Sequence, residues 1–268
     1  MIMIKMAKGK KKNESRLVYI PFVALIIVIV IFFAIGFRSS SPTVSAESAF
    51  TNIVKVSSVD YAPNGTTQVY FISWYGCPYG ATLSWPLYLA LTHYGNVSVE
   101  PHLSLTEPDL GGAIPGLLFE NFQPNSSVQF HFYYIYNQYL NATPSGQPLN
   151  GEAIQIGLQE LQTSAPNWVF NLVKEYQLNK TTVLYNNNQL PIALGSPIPH
   201  LVTTLIVTGP GGTWILLGYP KSLPPSQVIS ISHDPSQILS EIKSGNVPSP
   251  IEATSQTIYQ VIQKASES

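Results

Sequence analysis

The stretch 73–85, SWYGCPYGATLSW, holds the only cysteine in 268 residues. Cys77 is followed by Pro78, Tyr79 and Gly80, the form of a dithiol redox motif with glycine where the second cysteine would stand. An apolar run precedes Cys77 and a helix-forming run follows it, which puts the thiol at a helix N-terminus. There the helix dipole and free backbone N–H groups stabilise a thiolate and lower its pKa. A thiolate attacks a disulfide and forms a mixed disulfide. With Gly80 in the second position, an outside thiol or the substrate must resolve that intermediate. This chemistry allows isomerisation, monothiol exchange or docking of a thiol partner, and it excludes storage of an internal disulfide. The competing reading is a binding or structural module that has lost the chemistry, with Cys77 a small buried hydrophobe. Exposure separates the two: an enzyme needs Cys77 accessible with a depressed pKa, and no charged residue stands anywhere in 61–99 to help.

Other residue types offer less. His93, His102, His131, His200 and His233 show no metal-ligand spacing, and neither a metal nor a cofactor is expected. Glu107 and Asp109 lie in a Pro/Gly-rich loop, where two acids are ordinarily just solvated. The aromatic run Phe130, Phe132, Tyr133, Tyr134 and Tyr136 reads as a strand packing on its neighbours. The segment GPGGT (209–213) lacks the lysine and following helix of a phosphate loop and reads as a hairpin turn.

The elements that must position the thiol follow from periodicity. Residues 52–61 form a first strand, and 62–67 a turn. QVYFISW (68–74) is apolar on both alternating faces, the pattern of a central strand covered on both sides. Residues 79–95 read as a helix with Pro86 inside it and Gly95 as its stop, and 97–105 as the next strand. Residues 106–150 are rich in Pro, Gly and Asn and resist assignment outside the β-prone 128–136. Residues 152–178 look helical with a break at Pro166. HLVTTLIVT (200–208) and TWILLGY (213–219) make a hairpin. Asp234, Pro235 and Gly245 bracket a capped helix, and Ile251, Ile258, Ile262 and Ala265 form a helical stripe.

Ahead of this lies a different kind of sequence. Residues 17–37 are 21 residues without a charge, enough to span a bilayer core of roughly 30 Å as a helix. Six basic residues and one acidic residue occupy 1–37, whereas 38–268 carry seven basic and thirteen acidic. That asymmetry places the basic tail 1–16 in the cytoplasm and the main domain outside the cell. A cleavage site could be read at Val44-Ser45-Ala46, but the apolar run is longer than a signal-peptide core and lies well before it. The expectation is an uncleaved single-pass anchor at the cell membrane, with 38–51 as a flexible linker. The sparse positive charge of the exterior part argues against nucleic-acid binding. Five sequons, at Asn64, Asn96, Asn125, Asn141 and Asn179, suit a glycosylated surface protein. One cysteine permits no internal disulfide, so packing alone must stabilise the domain.

In order along the chain, these residues resemble a thioredoxin-like fold. A buried strand ending in Trp74 runs into Cys77-Pro78, Ile198-Pro199 stands before a strand, and a Gly-containing hairpin and closing helix follow. The resemblance covers about 52–245. It implies an α/β thioredoxin-like domain with an insertion at about 106–190; the helical tail at 246–268, read from its apolar stripe, lies beyond it, and whether it packs on the domain or reaches a partner stays open. It also implies that Pro199 is cis, faces Cys77 and lines the substrate side, and that His200 can approach the thiol. In that account Pro78 shapes the turn, Tyr79 completes the Cys-Pro-Tyr start shared with glutaredoxins, and Gly80 opens the helix start. The partner implied is a protein thiol or disulfide. More narrowly, "WYGCPYGA…SWPLYLAL" is similar to the hallmark of a domain-of-unknown-function family of membrane-anchored proteins from Sulfolobus-type archaea, which carries a fold expectation and no activity.

Overall fold

The computed structural model describes residues 49–267. The basic tail, the anchor at 17–37 and most of the linker lie outside the described residues. Among the described residues no helix is long and apolar enough to cross a membrane.

The strand after the first turn, β2 (Thr67–Ser73), is buried at every position. Its alternation feeds two cores: Val69 and Phe71 point to one, Tyr70 and Ile72 to the other. A strand apolar on both faces can satisfy its backbone only inside a sheet covered on both sides. That sheet is five-stranded and mixed, in the order β1-β9-β8-β2-β5, with β1 Val54–Ser57, β5 Val128–Tyr134, β8 Thr204–Gly209 and β9 Gly212–Leu217. β2 runs parallel to β5 and antiparallel to β8, and β9 runs antiparallel to both β8 and β1.

Six helices complete the described residues. α1 (Pro78–Leu91) follows β2 and is buried almost all round, as a helix apolar on every face must be. Pro86 lies inside it; Thr82 Oγ1 donates to the Pro78 carbonyl and Ser84 Oγ to that of Ala81 in the same region. A separate hairpin, β3 (Gly95–Leu103) with β4 (Pro115–Pro124), lies against α1. Ser84 Oγ accepts from the Leu117 N–H, and Trp85 Nε1 donates to the Pro115 carbonyl. α2 (Ala153–Ser164) and α3 (Asn167–Glu175) contribute to the second core. They meet at Pro166, where the break was expected. α4 (Pro225–Ile231), α5 (Pro235–Lys243) and α6 (Ser249–Ser266) contribute to the first core. Asp234 caps α5 by accepting from the Ser236 N–H, and Gly245 takes the left-handed φ of +86° beyond its end.

Several expectations need correction. The segment 106–190 is not one block set apart from the sheet: β5, in its middle, is the sheet's edge strand. The strand expected at 97–105 pairs outside the main sheet because β4, unrecognised in a Pro- and Asn-containing run, is its partner. A second hairpin, β6 (Thr182–Tyr185) with β7 (Asn188–Pro191), turns through Asn186 and Asn187, both at positive φ. Residues 49–51 of the expected linker are fastened to β9 by Leu217 N–H to Ala49 O and Thr51 N–H to Leu217 O. The question left open for the C-terminal helix is answered: α6 lies against α1, and Ile251, Ile258, Ile262 and Ala265 are fully buried. Charge contributes little. The one ion pair among the described side chains, Lys180–Glu175 at 3.7 Å, is half exposed, a geometry worth at most a few tenths of a kcal/mol to about 1 kcal/mol.

Because Ile258 is fully buried between α6 and the first core, Ile258→Ala should destabilise the domain by about 2–5 kcal/mol. Denaturant unfolding should show one transition with a lower midpoint. A main transition left in place would mean that α6 is an independent element.

Candidate functional site

Cys77 sits at the N-cap of α1, with Pro78 at the first helical position. The turn that delivers it is closed by Cys77 N–H to Trp74 O. It is held on its flanks by Tyr75 N–H to Tyr136 O and Leu105 N–H to Gly76 O. The thiol is not presented to solvent. Cys77 is 2 % exposed and belongs to the second core with Ile72, Trp74, Leu201 and Val202. Tyr79 and Leu105, both partly buried, pack against this cluster.

The polar surroundings of the sulfur are two hydroxyls and a helix start. Sγ lies 3.0 Å from Thr203 Oγ1, which is 2.9 Å from Ser73 Oγ. The backbone N–H groups of Tyr79 and Gly80, at the helix start, also act to lower the thiol's pKa. These contacts favour the thiolate, but burial outweighs them and pushes the Cys77 thiol above its ordinary value. No charged side chain perturbs the thiol. Burial, with Tyr219, Cys77 and Glu107 nearby, likewise pushes the Tyr79 phenol up to about 12.

Gly80 has a specific steric reason. A Cβ at position 80 would fall inside the envelope of Ser73 Oγ and press on Thr203 Oγ1. The place of a second cysteine is thus taken by the hydroxyl pair, and any side chain at position 80 requires Ser73 to move.

The expectations for Pro199 are overturned. There is no cis peptide bond among the described residues, and the residue against the thiol is Thr203. The physical reason is the start of β8 at Thr204, four positions later than expected. The backbone directly before the strand, not the Ile198-Pro199 dipeptide, therefore abuts Cys77. Pro199 instead lines an open groove of about 730 Å³ with Ile154, Leu158 and Phe170. His200 faces Trp74 edge-on, with ring centroids 5.7 Å apart, and Nδ1 lies 2.6 Å from the Ile198 carbonyl. It is thus in contact with Trp74, and no hydrogen bond joins it to the sulfur. Trp74 is buried, and its Nε1 has no hydrogen-bond partner. The five sequon asparagines, Asn64, Asn96, Asn125, Asn141 and Asn179, are all exposed.

One residue of the site escaped the sequence reading. Gln177, in the π turn that ends α3, is fully buried. Its Oε1 accepts from the Val202 N–H, and its Nε2 donates to the Val202 carbonyl and to Thr204 Oγ1. Gln177 therefore holds the residues on both sides of Thr203 and sets the hydroxyl against the thiol. A glutamine near the end of a polar helix carries no signal for this.

Two measurements follow from this geometry. Gly80→Ala should destabilise the domain by about 1–3 kcal/mol through overpacking, and much of that loss should vanish in a Ser73→Ala background, which removes the clashing oxygen. Additive losses in this double-mutant cycle would show that the two positions do not share the space. Burial also lowers the pKa of His200 below the ordinary 6.5, against the opposing Ile198 contact, and burial lowers that of His131. Below pH 6.5 the unfolded chain then binds more protons than the folded one, so stability should fall as pH drops through that value. His200→Gln should flatten the slope; an unchanged pH profile would mean that His200 titrates normally.

No curated protein and no solved structure matches the chain. A family described as Domain of unknown function (DUF929) matches residues 52–264. The match takes in the strand before Cys77, the thiol turn, Gln177, Thr203 and nearly all of α6. The chain belongs to the DUF929 family.

Proposed function

We propose that this protein is a membrane-anchored, outward-facing binding or structural module on a thioredoxin-like scaffold, with Cys77 retained as a structural thiol. The observation that carries the reading is the 2 % exposure of Cys77 together with its raised pKa. Nucleophilic exchange needs a thiolate that a disulfide sulfur can reach, and both requirements are opposed here. The scaffold part rests on the strand order: β2, which leads into the cysteine turn, is parallel to β5 and antiparallel to β8, with β9 beyond it. Anchoring and orientation rest on the uncharged run 17–37 and the basic residues before it. The sequons fit this placement because all five asparagines are exposed.

A second reading, monothiol exchange with a protein thiol or disulfide, draws support from the Tyr79 and Gly80 N–H groups, which act to lower the thiol's pKa. Opening of the turn around Gly76 would be needed before that sulfur could react.

Alkylation of Cys77 in the folded chain, measured against pH beside a denatured control, separates the two. The structural reading expects a folded rate far below the control at every pH, and no mixed disulfide after incubation with glutathione disulfide. A folded rate above the control, or a trapped mixed disulfide at Cys77, would replace it with the exchange reading.

A further inference from the structure

The two edges of the main sheet are built differently. The β1 edge is four residues long, carries Lys55 and has an irregularity between Lys55 and Ser57. Short length, lysine and a bulge are the usual guards against a further strand. β5, at the other edge, has none of them. It is seven residues, VQFHFYY, continuous in register with β2 and free of charge and proline.

Its backbone polarity can be assigned. Thr67 N–H donates to Ser127 O, and Ile135 N–H donates to Ser73 O. In a parallel pair, N–H and C=O of one residue point to the same neighbour and alternate along the strand. Residues 129, 131 and 133 therefore bond β2, and Phe130, Phe132 and Tyr134 turn their backbone groups outward. None of these outward groups has a partner elsewhere among the described residues. Val128 is different: its N–H donates to Ser126 Oγ. What remains is a row of three residues centred on Phe132.

We propose that a second copy of this chain pairs there, β5 against β5, antiparallel about a two-fold axis through Phe132. An extended strand satisfies such a row along its whole length, and this uncharged strand in continuous register suits its own copy. The axis sets Phe132 opposite Phe132 and Phe130 opposite Tyr134 of the second copy, so all three outward residues are used. On the side that also packs against β4, the side chains at the edge are then Phe130, Phe132 and Tyr134 from both copies, and on the other side His131 of each copy stands opposite Tyr133 of its mate. Each is an aromatic-rich cross-strand set of the kind that stabilises sheets. With no charge in the strand, identical copies do not repel. Asn125 lies outside the paired segment, so a glycan there is compatible with the mate.

Sedimentation equilibrium of the full chain in density-matched detergent should give twice the monomer mass. Mild oxidation of Phe132→Cys should produce a disulfide-linked dimer, whereas Leu184→Cys, on the β6–β7 hairpin at 74 % exposure, should not. Unaltered protein should stay unlinked, since Cys77 is buried. A monomer mass overturns the proposal, and so does a dimer in which Phe132→Cys stays unlinked.

Discussion

The thiol end of the molecule depends on one requirement: the backbone N–H and C=O of Val202, buried just before β8, must be hydrogen-bonded. Gln177 meets both with one side-chain amide and adds a bond to Thr204 Oγ1. A buried amide left unpaired loses about 1–3 kcal/mol, so this contact fixes the loop before β8 in one position. Thr203 is thereby set against Cys77, and through Ser73 the sulfur is joined to the end of β2. Three segments distant in sequence, the end of α3, the approach to β8 and the β2–α1 turn, meet in one small polar cluster inside an apolar core.

That cluster explains the glycine. In a dithiol motif the fourth residue contributes a second sulfur at the start of the helix. Here the same space holds the Ser73 hydroxyl, and Thr203 links it to the thiol. The thiol thus stands in a neutral, hydrogen-bonded pair with Thr203. The thiol and its two hydroxyl neighbours are hydrogen-bonded without any charge, and burial pushes the thiol pKa up.

Much of the frame was legible because its signals are local. Two-sided hydrophobicity marked β2, the Asp234-Pro235 start and Gly245 stop marked α5, and the isoleucine stripe marked α6. The thiol at a helix start was equally readable. What failed was long-range. β4 carries Asn and two bounding prolines and makes sense only through its pairing with β3 and its bonds to Ser84 and Trp85. The β6–β7 turn did carry a signal, two asparagines able to take positive φ, inside a run that reads as loop. The resemblance pointed to Pro199, yet the start of β8 is decided by its pairing with β2, which begins at Thr204. Gln177 could not be found at all, because its partner is a backbone 25 residues away.

The scarcity of ion pairs has a consequence for where such a domain can work. Most proteins lose native interactions when their carboxylates take up protons, because those carboxylates are partnered in the folded state. Here the described part keeps a single exposed pair, and its cohesion comes from two apolar cores on a neutral sheet. Titrating its acids breaks one exposed ion pair and weakens the Asp234 cap of α5, and added salt screens almost nothing. The described part's tolerance of changing ionic strength is therefore written into what it does without, and its response to acid falls to the buried His200 and His131 instead of to its carboxylates.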